Sequence, residues 1–308
     1  MEDSLKDKKG LYSFVILLSL FGLMAMSLYL SLFFVKLTLP SLFGVSDADL
    51  FVNSVAEQLK NPPAMIYLQA LSSSIGFFIL PVLLFHFVFR YDMVSSMGLR
   101  IVPSAKYLLS SIGIMFTAGI FIQLLVQINT AIPLSGKWQE LRSMQAQVDK
   151  ILEAFFSEIS ITRFAVLTLV MALLPAVGEE LCFRGTIQNV LSRTNLGHHG
   201  AIIVAGLTFS LIHFEFNNLL AIWCMGIVLG YLYYYSGSIW VNITAHFLNN
   251  FMVVLGRFAF LKGFIHSDIM SSDTLPVYVT LPVGAIMIGG LWMMGKWKQE
   301  KLEMPFIN

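Results

Sequence analysis

From Leu11 to Val35 the chain runs without a single charged residue, and a helix of about 20 apolar residues is enough to cross a bilayer. Comparable runs recur at about 64–89, 107–134, 164–192, 199–214, 217–235, 238–261 and 275–295. A soluble domain has no way to cover that much apolar surface. Only 12% of the 308 residues are charged and 57% are hydrophobic, whereas soluble domains carry roughly a quarter charged residues. The expectation is an all-α, polytopic integral membrane bundle with about eight transmembrane helices. The first run is too long for the core of a signal peptide and lacks a small-residue cleavage site, so it reads as a retained span.

Composition narrows the partners. A net charge of +1 and the absence of a basic block disfavour nucleic acid. The lipid bilayer is the one partner that composition alone requires. Two cysteines, Cys182 and Cys224, are too few for a disulfide framework or a four-cysteine zinc site; both sit in apolar runs and read as small buried residues.

Three regions are expected. Residues 1–162 hold the N-terminal spans and an amphipathic segment, 163–262 a core richer in polar groups, and 263–308 a last span with a basic tail. Asn61-Pro62-Pro63 breaks the chain before the second span, and Pro81 predicts a kink within it. Between 135 and 163, charged residues from Lys137 to Glu158 interleave with Leu141, Met144, Val148, Ile151, Leu152 and Phe155. That spacing predicts a helix lying along the interface or covering a cavity. Lysines near both ends (Lys6, Lys8 and Lys9; Lys296, Lys298 and Lys301) favour cytoplasmic termini under the positive-inside rule.

The functional clue is polar chemistry where lipid should be. An ionisable group in hydrocarbon costs several kcal/mol, so it normally faces a protein interior or a wet cavity. Glu179, Glu180 and Arg184 lie in Pro175-Ala-Val-Gly-Glu-Glu-Leu-Cys-Phe-Arg-Gly185, His213 closes Phe209-Ser-Leu-Ile-His213, and His246 and Asn250 bound His246-Phe-Leu-Asn-Asn250. Helical spacing lets Glu180 pair with Arg184 four residues on. It turns Glu179 about 100° away from Glu180. His246 and Asn250 share one face, and Phe209 stands one turn before His213. A carboxylate, two imidazoles and a carboxamide meeting in one pocket could deprotonate a water or ligate a divalent metal, with His and Glu suited to zinc. Read singly, each group has a plainer role: Glu180–Arg184 as a structural pair, Asn249 as packing glue, His86 as an interfacial residue and Arg257 as a helix-end one. Tyr231, Tyr233, Tyr234, Tyr235 and Trp240 read as an aromatic interface belt. On straight-helix arithmetic His213 falls near the end of its span and His246 about a third of the way into its own.

There is no His-Glu-x-x-His, no Gly-x-Ser-x-Gly and no pair of membrane aspartates, so zincin, serine and aspartic mechanisms are disfavoured. Glu-Glu-x-x-x-Arg at 179–184, Phe-x-x-x-His at 209–213 and His-x-x-x-Asn at 246–250, with Gly-Ser-Ile-Trp before the third, resemble in order and spacing the signature of the CPBP family. These are the CAAX-processing and bacteriocin-processing membrane proteases, also called the Abi or type II CAAX prenyl endopeptidases. The resemblance covers roughly 163–262 and implies an intramembrane endopeptidase acting on a peptide or membrane-protein substrate, in a bacterial cytoplasmic membrane. It implies Glu179 as general base, His213 and His246 as ligands of the attacking water or of a zinc ion held with Glu179, and Asn250 as oxyanion donor. Glu180, Arg184 and Phe209 are then supporting residues. The rival expectation is a transporter or partner-binding scaffold that uses the same buried groups as a relay; no inverted repeat of broken helices, the mark of many transporters, accompanies them.

Overall fold

The computed structural model describes residues 2–45, 60–90, 92–133, 135–157, 160–266 and 275–297. Every long element among them is helical: α1 (Glu2–Phe43), α2 (Pro62–Phe89), α3 (Ala105–Ala131), α4 (Lys137–Phe155), α5 (Ile161–Leu191), α6 (Gly197–Ile212), α7 (Leu219–Ser236), α8 (Ile239–Leu261) and α9 (Val277–Lys296). Seven of these, all but α4 and α6, are long and apolar enough to cross a membrane. The protein is a multi-pass membrane protein.

The expected fifth span is the exception. Helix α6 has 16 residues, about 24 Å at 1.5 Å per residue, short of the roughly 30 Å hydrocarbon layer. It packs along α7, which follows after a short loop, so the two run antiparallel.

Prolines shape the two helices beside it. In α2 a π-helical stretch, Gln69–Ile79, ends just before Pro81, and in α5 another, Thr168–Leu173, ends just before Pro175. The residue before each proline bonds five positions back, Leu80 N–H to Ile75 O and Leu174 N–H to Leu169 O. Proline has no N–H and its ring crowds the carbonyl four residues back, so the wider turn accommodates it without breaking the helix. The two irregular helices then pack on each other at Gly178. A methyl group there would stand 3.0 Å from the Ile79 and Phe78 side chains and 3.2 Å from Ser74 O.

A second close approach joins α6 to α7. Gly226 and Gly230 are one turn apart, and a methyl group on Gly226 would come within 2.8 Å of the Gly206 Cα. Small residues at four-residue spacing allow such backbone contact between membrane helices. The α2–α3 link closes one end of the bundle. Asp92 caps the single turn Met93–Ser96, and the Ser95 hydroxyl and amide hold its carboxyl below the usual range. Met97 is fully buried against Gly185, and Ser238 and Trp240, at the start of α8, donate to the carbonyls of Ile101 and Leu99.

The outer face of α1 (Leu11, Phe14, Leu18, Tyr29, Phe33, Phe34 and Leu37) is exposed, as a lipid-facing helix requires. Helix α4 is the expected amphipathic segment. Its final turn packs Phe155 and Phe156 with Ile66, Leu167, Val170 and Val254. Glu158 and the side chains of Leu141, Met144 and Val148 lie outside the described residues, as do Lys298 and Lys301. One plainer expectation needs correction. Tyr233 is buried and accepts a hydrogen bond from Asn189, because it faces α5 rather than the interface. His86 is buried at 6% exposure in the last turn of α2.

Candidate active site

Helix α5 brings two adjacent carboxylates to the centre of the bundle, and their surroundings differ. Glu180 is fully buried. Its Oε1 accepts from Arg184 Nη1 at 2.7 Å and lies 2.8 Å from His246 Nδ1; its Oε2 accepts from Asn242 Nδ2 at 3.0 Å. Arg184, also buried, donates through Nη2 to the Gly226 carbonyl at 2.9 Å and stacks over the Phe209 ring at 4.9 Å. The pairing expected four residues apart is present. A buried ion pair persists only when its remaining lone pairs and protons are also satisfied, and α7 and α8 supply those partners.

Glu179 is 7% exposed, and its Oε2 is a buried acceptor with no hydrogen-bond donor among the described residues. That oxygen lies 3.7 Å from His213 Nε2 and 3.8 Å from His246 Nε2. Neither distance is a hydrogen bond. Each imidazole is anchored through its other nitrogen. His213 Nδ1 is 2.7 Å from the Phe209 carbonyl, and His246 Nδ1 faces Glu180. A carbonyl or carboxylate partner makes Nδ1 the protonated nitrogen of a neutral ring, and in that tautomer Nε2 faces Glu179 with its lone pair.

Phe209 fills the space between these groups. Its ring lies 4.5 Å from His213, 6.1 Å from His246 and 4.9 Å from Phe183, centroid to centroid. The loop after α6 is tied down by Asn129 of α3, which donates to Phe216 O and accepts from Leu220 N. Ser210 Oγ bonds Leu219 O across the same turn. Phe214, next to His213, takes a left-handed conformation at φ +54° with its ring 72% exposed, the position where a helix usually ends on glycine. His213 has a quarter of its side chain exposed against 7% for His246, so the cluster is most open on the His213 side.

Of the residues singled out in the sequence, Glu179, Glu180, Arg184, Phe209, His213 and His246 meet in one cluster. Asn250 stands one turn beyond His246, half-buried, and its Oδ1 accepts from Asn249 Nδ2 at 3.2 Å; no contact of Asn250 with Glu179 is present among the described residues. Asn242 escaped the sequence reading. Its signal was available, four residues before His246 and eight before Asn250, one polar stripe on α8.

Two imidazole nitrogens and a carboxylate oxygen are ligand types that zinc accepts. Among the described residues, however, no three His, Cys, Asp or Glu side chains stand so as to hold an ion.

No solved structure matches the chain. A Bacillus subtilis (strain 168) protein named "Putative membrane peptidase YdiL" is 27% identical over 101 residues, 32% of this chain and 41% of that protein. The aligned stretch thus spans less than half of that relative. Residues 161–252 match the family model described as Type II CAAX prenyl endopeptidase Rce1-like. The matched segment carries Glu179, His213 and His246, in agreement with the resemblance read from its three motifs.

Proposed function

We propose that this chain is an intramembrane endopeptidase that hydrolyses a peptide bond of a peptide or membrane-protein substrate with water activated by Glu179. One observation carries the reading: a buried carboxylate oxygen with no hydrogen-bond donor among the described residues, 3.7 and 3.8 Å from the Nε2 atoms of two imidazoles. A gap of 3.7–3.8 Å is too long for a direct hydrogen bond, and a water seated to one side of these atoms is within reach of the carboxylate and an imidazole together. That water gives a proton to Glu179 as its oxygen bonds to the scissile carbonyl carbon, and the same proton then passes to the departing amine nitrogen as the C–N bond breaks. Its second proton is held by the Nε2 of one imidazole at a time, His213 or His246. Asn250 is assigned the developing oxyanion; Asn249, by donating to its Oδ1, turns the amide N–H groups the other way. Residues 163–262 form the catalytic core on this reading, with 1–162 and 263–308 enclosing it.

Proteomic comparison of membranes carrying the wild-type chain and Glu179→Gln tests this. One precursor should accumulate in the variant at unchanged expression and insertion. Identical membrane proteomes with Glu179-dependent ion or proton flux would assign the cluster to transport instead. Purified protein stripped with a chelator is expected to keep its cleavage rate; loss restored by added zinc would move the water onto an ion.

A further inference from the structure

Asn242 is fully buried in α8 and spends both protons of its amide in opposite directions. Nδ2 donates to Glu180 Oε2 at 3.0 Å and to the Leu229 carbonyl of α7 at 2.6 Å. Its own Oδ1 is buried with no hydrogen-bond partner among the described residues. The amide orientation follows from its neighbours, since turning it over would set Oδ1 against two acceptors. A buried amide with an unmet acceptor is costly, so packing alone does not account for it.

What the amide does is legible from Glu180. Oε1 serves both Arg184 and His246, while Asn242 alone is placed on Oε2. Without a donor there, a buried carboxylate lowers its energy by rotating to share both oxygens with the Arg184 guanidinium, the bidentate arrangement that pair favours. Rotation withdraws Oε1 from His246 Nδ1. The imidazole then loses the acceptor that fixes its proton on Nδ1 and its lone pair on Nε2.

We propose that Asn242 is a positioning residue that acts through Glu180 to lock His246 in the Nδ1–H tautomer, its Nε2 facing Glu179. The kinetic consequence rests on the peptidase reading; the effect on the imidazole does not.

The test uses the full chain, labelled with ¹⁵N-histidine in detergent, at a mildly alkaline pH where free imidazole is neutral. Multiple-bond ¹H–¹⁵N correlation reports the tautomer of each ring, and Glu179-intact His246→Gln assigns the His246 signals by their loss. Wild type should show His246 wholly as Nδ1–H. Asn242→Leu, close in shape but without the donor, should give a tautomer mixture, and Asn242→Ser, too short to reach Oε2, the same. Gln188→Met removes another buried amide, one that donates to Gly230 O of α7, and should leave His246 unchanged. The cleavage assay should show kcat down about 10- to 100-fold in Asn242→Leu at unaltered KM. A pure Nδ1–H tautomer in both Asn242 variants would overturn the proposal. A shifted tautomer with no Glu179-dependent cleavage of any precursor would leave it standing and remove the peptidase reading instead.

Discussion

Glu179 and Glu180 are consecutive, both buried and chemically identical, yet the bundle treats them in opposite ways. Around Glu180 three side chains from two helices converge on one carboxylate. Around Glu179 two imidazole Nε2 atoms approach an oxygen that has no hydrogen-bond donor among the described residues. A helix makes this division simply by turning about 100° between neighbours. The contrast separates two tasks. The satisfied carboxylate ties the helices around it together, whereas the one left without a donor among the described residues is free to engage a water.

The contrast breaks if the two glutamates respond alike to removal. Glu179→Gln should lower cleavage by about 10³-fold without lowering the thermal midpoint in detergent, because the oxygen replaced has no hydrogen-bond donor among the described residues to lose. His213→Ala and His246→Ala should each lose about 10²-fold or more. Combining either with Glu179→Gln should add little, as expected of groups acting as a unit; multiplying losses in steady-state kinetics would contradict this. Glu180→Gln should chiefly cost stability, on the order of 3–5 kcal/mol from leaving Arg184 buried without its partner, read from denaturation midpoints. Gly226→Leu should cost about 1–3 kcal/mol by forcing α6 from α7, moving His213 and lowering cleavage with it. The smallest effect is at Phe214, where glycine relieves a left-handed strain of about 1–2 kcal/mol but frees the unfolded chain, for a net gain under about 1 kcal/mol.

How much of this was legible varied with the kind of residue. Charged and imidazole groups in apolar runs stand out because lipid penalises them, so Glu179, Glu180, Arg184, His213 and His246 could be read off directly. Their convergence could not, since it depends on α6 ending after 16 residues and on π-helical stretches before Pro81 and Pro175. Counting apolar residues sees a span at 199–214, not its depth. Asn242 was missed because an uncharged amide hardly disturbs a hydropathy pattern, although its four-residue offset from His246 marks it. Tyr233 was misplaced because a run of tyrosines near a helix end looks like an interface belt, and only tertiary packing turns one of them inward.

Single-turnover cleavage of an accumulated precursor by purified wild-type, Glu179→Gln and Glu180→Gln proteins, each checked for intact folding, probes the division most directly. The account requires the folded Glu179→Gln protein to be nearly inert while folded Glu180→Gln loses no more than about 10- to 100-fold, as expected of a group that positions His246. Equal losses in both, or full turnover by Glu179→Gln, would contradict it.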